Sequence, residues 1–330
     1  MTSRQKLFTL GATTTVVAAA LALTGCGAGS KDSADGAAAS PAAKGAVTEA
    51  QAAKILGTYE SVNNKANAQQ DSALLGTVEG GQLYEQSKAD YRLFETRSKK
   101  EQAEYRKPFH YTGMKYWIPA GKDWFAVTTK ASDSKSEALL VFGKEYDDWK
   151  MMSAVYSEVP LPAIATDDSG LATAVDATTR VGTLAPNQIS AAFEDLYATG
   201  GTKAGAGISH TTEAAKDAIE TYAKRDSGKN AKFATTAYVT TPTEFDTVYA
   251  LRLKDGGVLA ALPTAHASQY GLKASYRENY DITPTEVESV FNIRDRDTVV
   301  NTYQGMALAT LPKTGKPSVT AIEYRIVDSQ

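Results

Sequence analysis

The chain carries the same order of secondary-structure patterns twice, and this order restricts the fold more than any other feature. Helical patterns begin near Thr48 and near Pro186, and in each half a run of aromatic and β-branched segments follows the helices. Helices that precede a run of strands are typical of α+β proteins, in which helices cover one face of an antiparallel sheet. Strands alternating singly with helices would instead indicate a doubly wound parallel sheet. The sequence predicts an α+β fold of two tandem domains, each with helices packed on a curved antiparallel sheet.

The predicted helices have recognisable ends. Thr48 and Gln51 form a capping-box pattern at the start of the first helix. A second helical stretch begins near Asp71 and is interrupted at 80–81, where two glycines are adjacent. In the second half, one helix follows Pro186 and closes at a glycine pair, and another covers Thr212 to Arg225. The two halves therefore repeat the same order of elements. They do not repeat the sequence itself, since we find no convincing residue-level identity between them.

The strand patterns define the domain boundaries. The predicted strands are 109–118, 124–129, 138–142, 149–157, 233–240, 248–253, 257–262, 299–310 and 318–327. We therefore predict a first domain over 46–165 and a second over 185–330. The segment 166–184 is predicted to be an exposed connector, since Asp167-Asp168-Ser169-Gly170 is typical of a loop.

The first 25 residues have the three parts of an export signal. Arg4 and Lys6 precede an uncharged apolar run, and small residues then lead to Cys26. This pattern predicts a lipoprotein signal peptide over 1–25, cut between Gly25 and Cys26. Cys26 is the only cysteine, so no intramolecular disulfide can form, and we predict that it carries lipid with palmitate-type acyl chains. A plain cleaved signal and an uncleaved membrane anchor are the alternatives.

Residues 26–45 are predicted to be a flexible tether, because 15 of these 20 residues are Gly, Ala, Ser or Pro. A coil of this length spans roughly 25 Å, enough to hold a folded part away from a bilayer. The whole chain has a formal net charge of −3, and loss of Arg4 and Lys6 with the signal makes it more negative. This balance argues against a nucleic-acid surface. We expect the protein at the outer face of the cytoplasmic membrane, anchored through Cys26.

No convergent catalytic or metal-binding set appears in the sequence. The histidines His110, His210 and His266 lack a second histidine or a cysteine at metal-ligand spacing. Leu311 to Gly315 matches a sorting pentapeptide but is better interpreted as a turn between strands. We expect no metal, no cofactor and no catalytic activity.

Aromatic side chains provide one candidate pocket. Residues of the second helix and of facing strands would line it between helix and sheet: Tyr84, Tyr91, His110, Trp117 and Trp124. Tyr and Trp offer a large apolar area with a polar tip, which suits recognition of ligands or partners. Ordinary core packing accounts for these residues equally well.

Several segments resemble a family of uncharacterised lipoproteins from actinomycete bacteria. The matching segments are Leu23-Thr24-Gly25-Cys26, 59–67, Val78-Glu79-Gly80-Gly81, Asp148-Trp149-Lys150 and Val159-Pro160-Leu161-Pro162. The resemblance implies an extracytoplasmic location and carries no activity. The helix-then-sheet order is also similar to the cone-shaped nuclear transport factor 2 and cystatin-like domains, although a fold does not by itself imply a function.

The expected function is that of a non-catalytic surface lipoprotein that binds an envelope protein or a small ligand. One alternative is an isomerase- or cyclase-type enzyme with a base inside a cone. Another is a solute-binding lipoprotein, which would normally need two doubly wound lobes.

Overall fold

The structure is a computed structural model that describes residues 44–132 and 134–330. The predicted signal peptide, Cys26 and almost all of the predicted tether lie outside these residues. Residues 45–330 form one compact unit.

The helices begin where the capping patterns place them. Thr48 accepts a hydrogen bond from the Gln51 N–H and its own N–H donates to the Gln51 side chain, so the predicted capping box is confirmed. In chain order the helices are α1 Glu49–Gln69, α2 Ser72–Leu75, α3 Gly81–Arg92, α4 Lys99–Tyr105, α5 Ile189–Thr199, α6 Glu213–Lys224 and α7 Glu286–Ser289. The sequence patterns did not indicate α4 or α7, which are both short.

The strands form two antiparallel sheets. Sheet 1 has the order β1-β2-β3-β4 and sheet 2 the order β5-β7-β8-β9, with β6 paired to β7 beside β5. The bounds are β1 Tyr111–Trp117, β2 Trp124–Ala131, β3 Glu137–Glu145, β4 Asp148–Ser157, β5 Ala234–Thr240, β6 Tyr249–Arg252, β7 Val258–Leu272, β8 Thr298–Leu311 and β9 Ser318–Ser329. The predicted α+β class with two helix-and-sheet domains is confirmed. The sorting-like pentapeptide lies at the turn from β8 to β9.

The two sheets pack face to face, with helices outside. One apolar core joins α1 to sheet 1 through residues such as Leu56, Phe125 and Phe142. A second joins sheet 2 to α5 and α6. A third lies between the sheets and includes Trp124 and Leu259. Alternate residues of a strand point to opposite faces, which explains how each sheet contributes to two cores.

Helix α3 belongs to the first half but is bonded to sheet 2. Gln82 Nε2 donates to the carbonyls of Thr264 (3.1 Å) and Gly305 (2.6 Å), and Gln86 Nε2 donates to that of Gln304 (2.8 Å). One turn further on, Asp90 accepts from Arg325 Nε at 2.9 Å. Spacing of four residues places these side chains on one face of the helix.

The segment predicted to be a connector is packed at several points. Ala172 N–H donates to the carbonyl of Ile118, and Val175 N–H donates to that of Ala250. Ala172 and Val175 are both buried, whereas Asp167 and Asp168 are exposed. Ten of the 19 residues of this segment are exposed and three are buried, so a few apolar residues anchor an otherwise exposed segment, and its role as a connector stays a prediction. The domain boundaries themselves stay a prediction.

Candidate ligand groove and buried carboxylates

A groove opens on the first domain between α1 and the β3–β4 hairpin. Its volume is about 160 Å³, and it is lined by Lys54, Ile55, Thr58, Tyr59, Val78, Phe142 and Trp149. The α1 residues Lys54 and Thr58, and likewise Ile55 and Tyr59, are four positions apart and therefore lie on the same face of the helix. Its walls are held in place by ring packing, since Phe125 stacks on Phe142 at 5.0 Å and lies 5.2 Å from Trp149.

The groove has an apolar floor and a polar rim. Tyr59 and Phe142 are buried, whereas Lys54 and Thr58 are exposed. Pockets for whole small molecules usually measure about 300–1,000 Å³, and this volume corresponds to roughly five waters. The groove therefore suits one ring or one apolar side chain whose attached polar group meets Lys54.

A buried carboxyl group lies behind the groove. Tyr59 OH donates to Glu79 Oε1 at 3.0 Å, so the tyrosine ring lines the groove while its hydroxyl reaches inward. Glu79 is 2% exposed, and its burial raises the pKa of the carboxyl to about 7 against the hydrogen bonds from Ser87 and Tyr59. Such a group is partly protonated near neutrality and could exchange a proton. It does not itself line the groove.

The second domain contains a buried carboxylate whose two oxygens both have partners. Glu194 on α5 is 1% exposed. Its Oε2 is 2.8 Å from Nδ1 of His266, and its Oε1 accepts from the hydroxyls of Thr264 and of Tyr324, the latter at 2.5 Å. Tyr324 can reach across β8 because Gly305 has no side chain there. A Cβ at position 305 would lie 2.6 Å from the tyrosine ring. These bonds fasten α5 to two strands of sheet 2, β7 and β9.

Tyrosine rings surround the imidazole of His266. The ring centroid of Tyr197 lies 4.6 Å away and that of Tyr303 lies 5.2 Å away, both nearly parallel to the imidazole. Tyr324 and Tyr238 approach with their edges. His266 is 4% exposed, so the imidazole itself fills this tyrosine cage. The arrangement is that of a satisfied polar core.

The structure does not bring the predicted pocket residues together. His110 is exposed just before β1 and does not line a pocket between helix and sheet. Its backbone is tied to Ser132, whose N–H donates to the His110 carbonyl. Trp124 packs between the sheets, 5.2 Å from Tyr249, and Trp117 Nε1 donates to Thr128 Oγ1 beside the same core.

Tyr84 and Tyr91 lie on α3 and pack on the core beneath α1. Tyr84 OH donates to the Ser72 carbonyl, and Tyr91 OH donates to Asn67 Oδ1. These bonds attach α3 to the preceding helices. The two tyrosines and the two tryptophans therefore serve different cores.

Sequence patterns missed the residues that matter most in these sites. His266 lies beyond the predicted strand 257–262 but inside the observed β7, on the same face as Thr264. Glu194 directly follows the apolar Phe193 in the helix predicted after Pro186, and this neighbour is the one signal that could have indicated a buried carboxyl group. Glu79 precedes a glycine pair that indicated only a helix break. None of the described residues forms a cluster of three or more His, Cys, Asp or Glu suited to a metal ion.

Comparison with known proteins identifies relatives of unknown activity. The sequence model of the family described as "Domain of unknown function (DUF8094)" matches residues 43–330. The uncharacterized lipoprotein SCO6871 of Streptomyces coelicolor is 31% identical over 314 residues, which cover 90% of this chain and 87% of that protein. No solved structure matches the chain. Within the described residues, no helix has the length and apolar character needed to span a membrane.

Proposed function

The chain belongs to the DUF8094 family, and from this membership and the groove we propose that it is a lipid-anchored extracytoplasmic protein that binds a partner without catalysing a reaction. A relative named as a lipoprotein supports the anchor. The observation that carries the binding role is the aromatic groove with its exposed lysine rim.

The anchor is Cys26, at the outer face of the cytoplasmic membrane. We expect Cys26→Ala to abolish incorporation of a clickable fatty acid, because the thioether needs the only thiol in the chain. The variant should also leave the membrane fraction or accumulate uncut. Fatty-acid label retained at the wild-type level in Cys26→Ala would show that the anchor lies elsewhere.

The groove is the proposed contact with the partner. Interface energy concentrates in small desolvated pockets that receive one large side chain, and a pocket of this size with rigid aromatic walls has that form. Lys54 favours a partner with an acidic group beside its apolar anchor. The cluster around Glu194 favours binding over catalysis. Both carboxyl oxygens of Glu194 are engaged by neighbouring side chains, so this group is not available as a catalytic acid or base.

A photoreactive phenylalanine analogue in place of Thr58 tests this contact in intact cells. We expect a discrete adduct from position 58 and none from a matched probe at Ala53, which is exposed on α1 outside the groove. Trp149→Ala removes one wall and should lower adduct yield by roughly thirtyfold, since a hot-spot residue contributes about 2 kcal/mol or more. Equal labelling from both positions, or none from position 58, would contradict the groove as the contact. Circular dichroism of Trp149→Ala checks that the fold is retained.

The pKa of Glu79 favours one second candidate, acid–base chemistry of the isomerase or cyclase type. A carboxyl near pKa 7 that bonds to the groove tyrosine is a suitable proton donor if Tyr59 swings aside. Phenols that imitate an enolate would then bind in the groove with an affinity that changes when Glu79 is replaced by Gln. If the affinity is unchanged in Glu79→Gln, the acid–base candidate is rejected and the binding role is the one that stands. The solute-binding alternative has less support, because both sheets in the described residues are antiparallel.

A further inference from the structure

Strand β5 leaves one edge of sheet 2 open. It pairs with β7 on one side, and no strand of the described residues pairs with its other side. Thr240 lies opposite His266, and Thr241 N–H donates to the Ala265 carbonyl. In an antiparallel ladder this pattern directs the backbone N–H and C=O of the even-numbered residues Thr236, Tyr238 and Thr240 away from β7.

This edge lacks the usual protection against pairing. Residues of β5 include no charge, no proline and no bulge, although edge strands commonly carry such features. Val239, the residue before the last of the strand, is 43% exposed.

The free edge is nevertheless limited at both ends. Asp226 Oδ1 accepts the outward N–H of Thr236 at 3.1 Å, and Pro242 has no N–H to donate. Between these two limits the outward backbone groups are those of Tyr238 and Thr240. The open edge is therefore short and has a defined length.

We propose that this edge joins two copies of the chain, with β5 of one copy pairing antiparallel to β5 of the other. A register centred on Val239 places Tyr238 opposite Thr240 of the second copy, and the two residues exchange both backbone hydrogen bonds. Twofold symmetry repeats the pair, as expected for an isologous dimer. The same register brings the two exposed Val239 side chains against each other.

Charges that flank β5 favour a second copy as the partner. Exposed Lys229 and Lys232 precede the strand, and exposed Glu244 and Asp246 follow it. Antiparallel self-pairing sets the flank that carries Lys232 in each copy beside the flank that carries Asp246 in the other. Parallel pairing would set like charges together. Opposite charges across an interface select both partner and register.

A single added cysteine tests the register directly. Cys26→Ala with Val239→Cys leaves position 239 as the only thiol of the full chain. Directly opposed residues of a non-hydrogen-bonded antiparallel pair have Cα atoms about 4.5 Å apart, within the range for a disulfide. We expect a disulfide-linked dimer under mild oxidation, forming at least roughly ten times faster than from Ile293→Cys in the same background. Ile293 is 79% exposed and remote from β5 in sequence, so it measures random collision.

Charge exchange provides an independent measurement. Lys232→Asp should shift sedimentation of the full chain toward monomer, and Lys232→Asp with Asp246→Lys should restore the dimer. Comparable oxidation rates for the two cysteine variants, or a double variant that remains as monomeric as Lys232→Asp, would overturn the proposal. Neither experiment depends on the groove or on lipid attachment, so a failure here leaves the proposed function untouched.

Discussion

Replacement of Glu194 by Ala is expected to lower the free energy of unfolding by about 3–5 kcal/mol, because it leaves several buried polar groups without their hydrogen-bond partner. The hydroxyls of Thr264 and Tyr324 and the Nδ1 of His266 all lose their shared partner. Each buried polar group left without a partner costs about 1–3 kcal/mol, and these costs do not simply add. Denaturant unfolding followed by circular dichroism measures the change.

Glu194→Gln is the matched variant that separates hydrogen bonding from charge. The amide oxygen can still accept from Thr264 and Tyr324, and a change of tautomer lets His266 Nδ1 accept from the amide N–H₂. We therefore expect Glu194→Gln to cost less than half as much as Glu194→Ala. Glu220→Ala on the exposed side of α6 removes only a surface ion pair with Lys224 and should change stability by less than about 1 kcal/mol. A loss below about 1 kcal/mol in Glu194→Ala would show that the cluster does not hold α5 on sheet 2.

Replacement of Glu79 by Gln is expected to stabilise the protein above pH 7 and to have no such effect near pH 4. The ordinary carboxyl pKa of 4.5 applies to the unfolded chain, whereas burial raises the folded value to about 7. Below pH 4.5 the group is protonated in both states, so it contributes no pH dependence. Between these two pKa values the unfolded chain releases the proton and the folded chain retains it, so stability falls as pH rises. Above pH 7 the loss is complete and amounts to about 3 kcal/mol.

Chemical denaturation from pH 4 to pH 8 measures this effect. Glutamine can still accept from Tyr59 OH and does not titrate, so the wild-type and Glu79→Gln curves should diverge between the two pKa values. Glu158→Gln is the control, because Glu158 is exposed after β4 and its replacement should leave the curve parallel to wild type. Parallel curves for Glu79→Gln would mean that the Glu79 carboxyl has an ordinary pKa in the folded protein.

A buried carboxyl that destabilises the fold at neutral pH is characteristic of functional sites, where stability is given up for chemistry or for switching. Glu79 lies one side chain away from the groove, through Tyr59. A ligand that moved the Tyr59 ring would remove the hydrogen bond to Glu79 and change its protonation. Binding in the groove is therefore expected to take up or release a proton near pH 7, which calorimetry in buffers of different ionisation enthalpy would detect.

Local patterns predicted most helix and strand positions, because their causes lie within a few residues. The side chains of Thr48 and Gln51 each accept a hydrogen bond from the backbone N–H of the other residue and so cap α1. Gly200 ends α5 in the left-handed conformation that glycine adopts freely. Strand β7 was an exception. Its predicted end at 262 falls short of the observed end at Leu272, because pairing with β5 and β8 sustains the strand through residues with weak alternation.

The candidate site was much less predictable. Trp124 and Tyr84 have the same aromatic character in the sequence, yet one packs between the sheets and the other under α1. Hydrophobic pattern shows that a side chain is buried but does not show against which layer, because each sheet here has two covered faces. The exposure of His110 depends likewise on where β1 begins.

The sequence by itself determined the α+β class, the helix caps and the positions of most strands along the chain, and it indicated export through the residues that lead to Cys26. Each of these follows from contacts or recognition over a few neighbouring residues. Only the tertiary structure decided that the two sheets stack on each other, that α3 crosses to the second domain, and that Glu194 meets His266 across 72 positions of the chain. The physical reason is that the partner of a buried polar group is chosen by packing of distant segments, and no local periodicity records that choice.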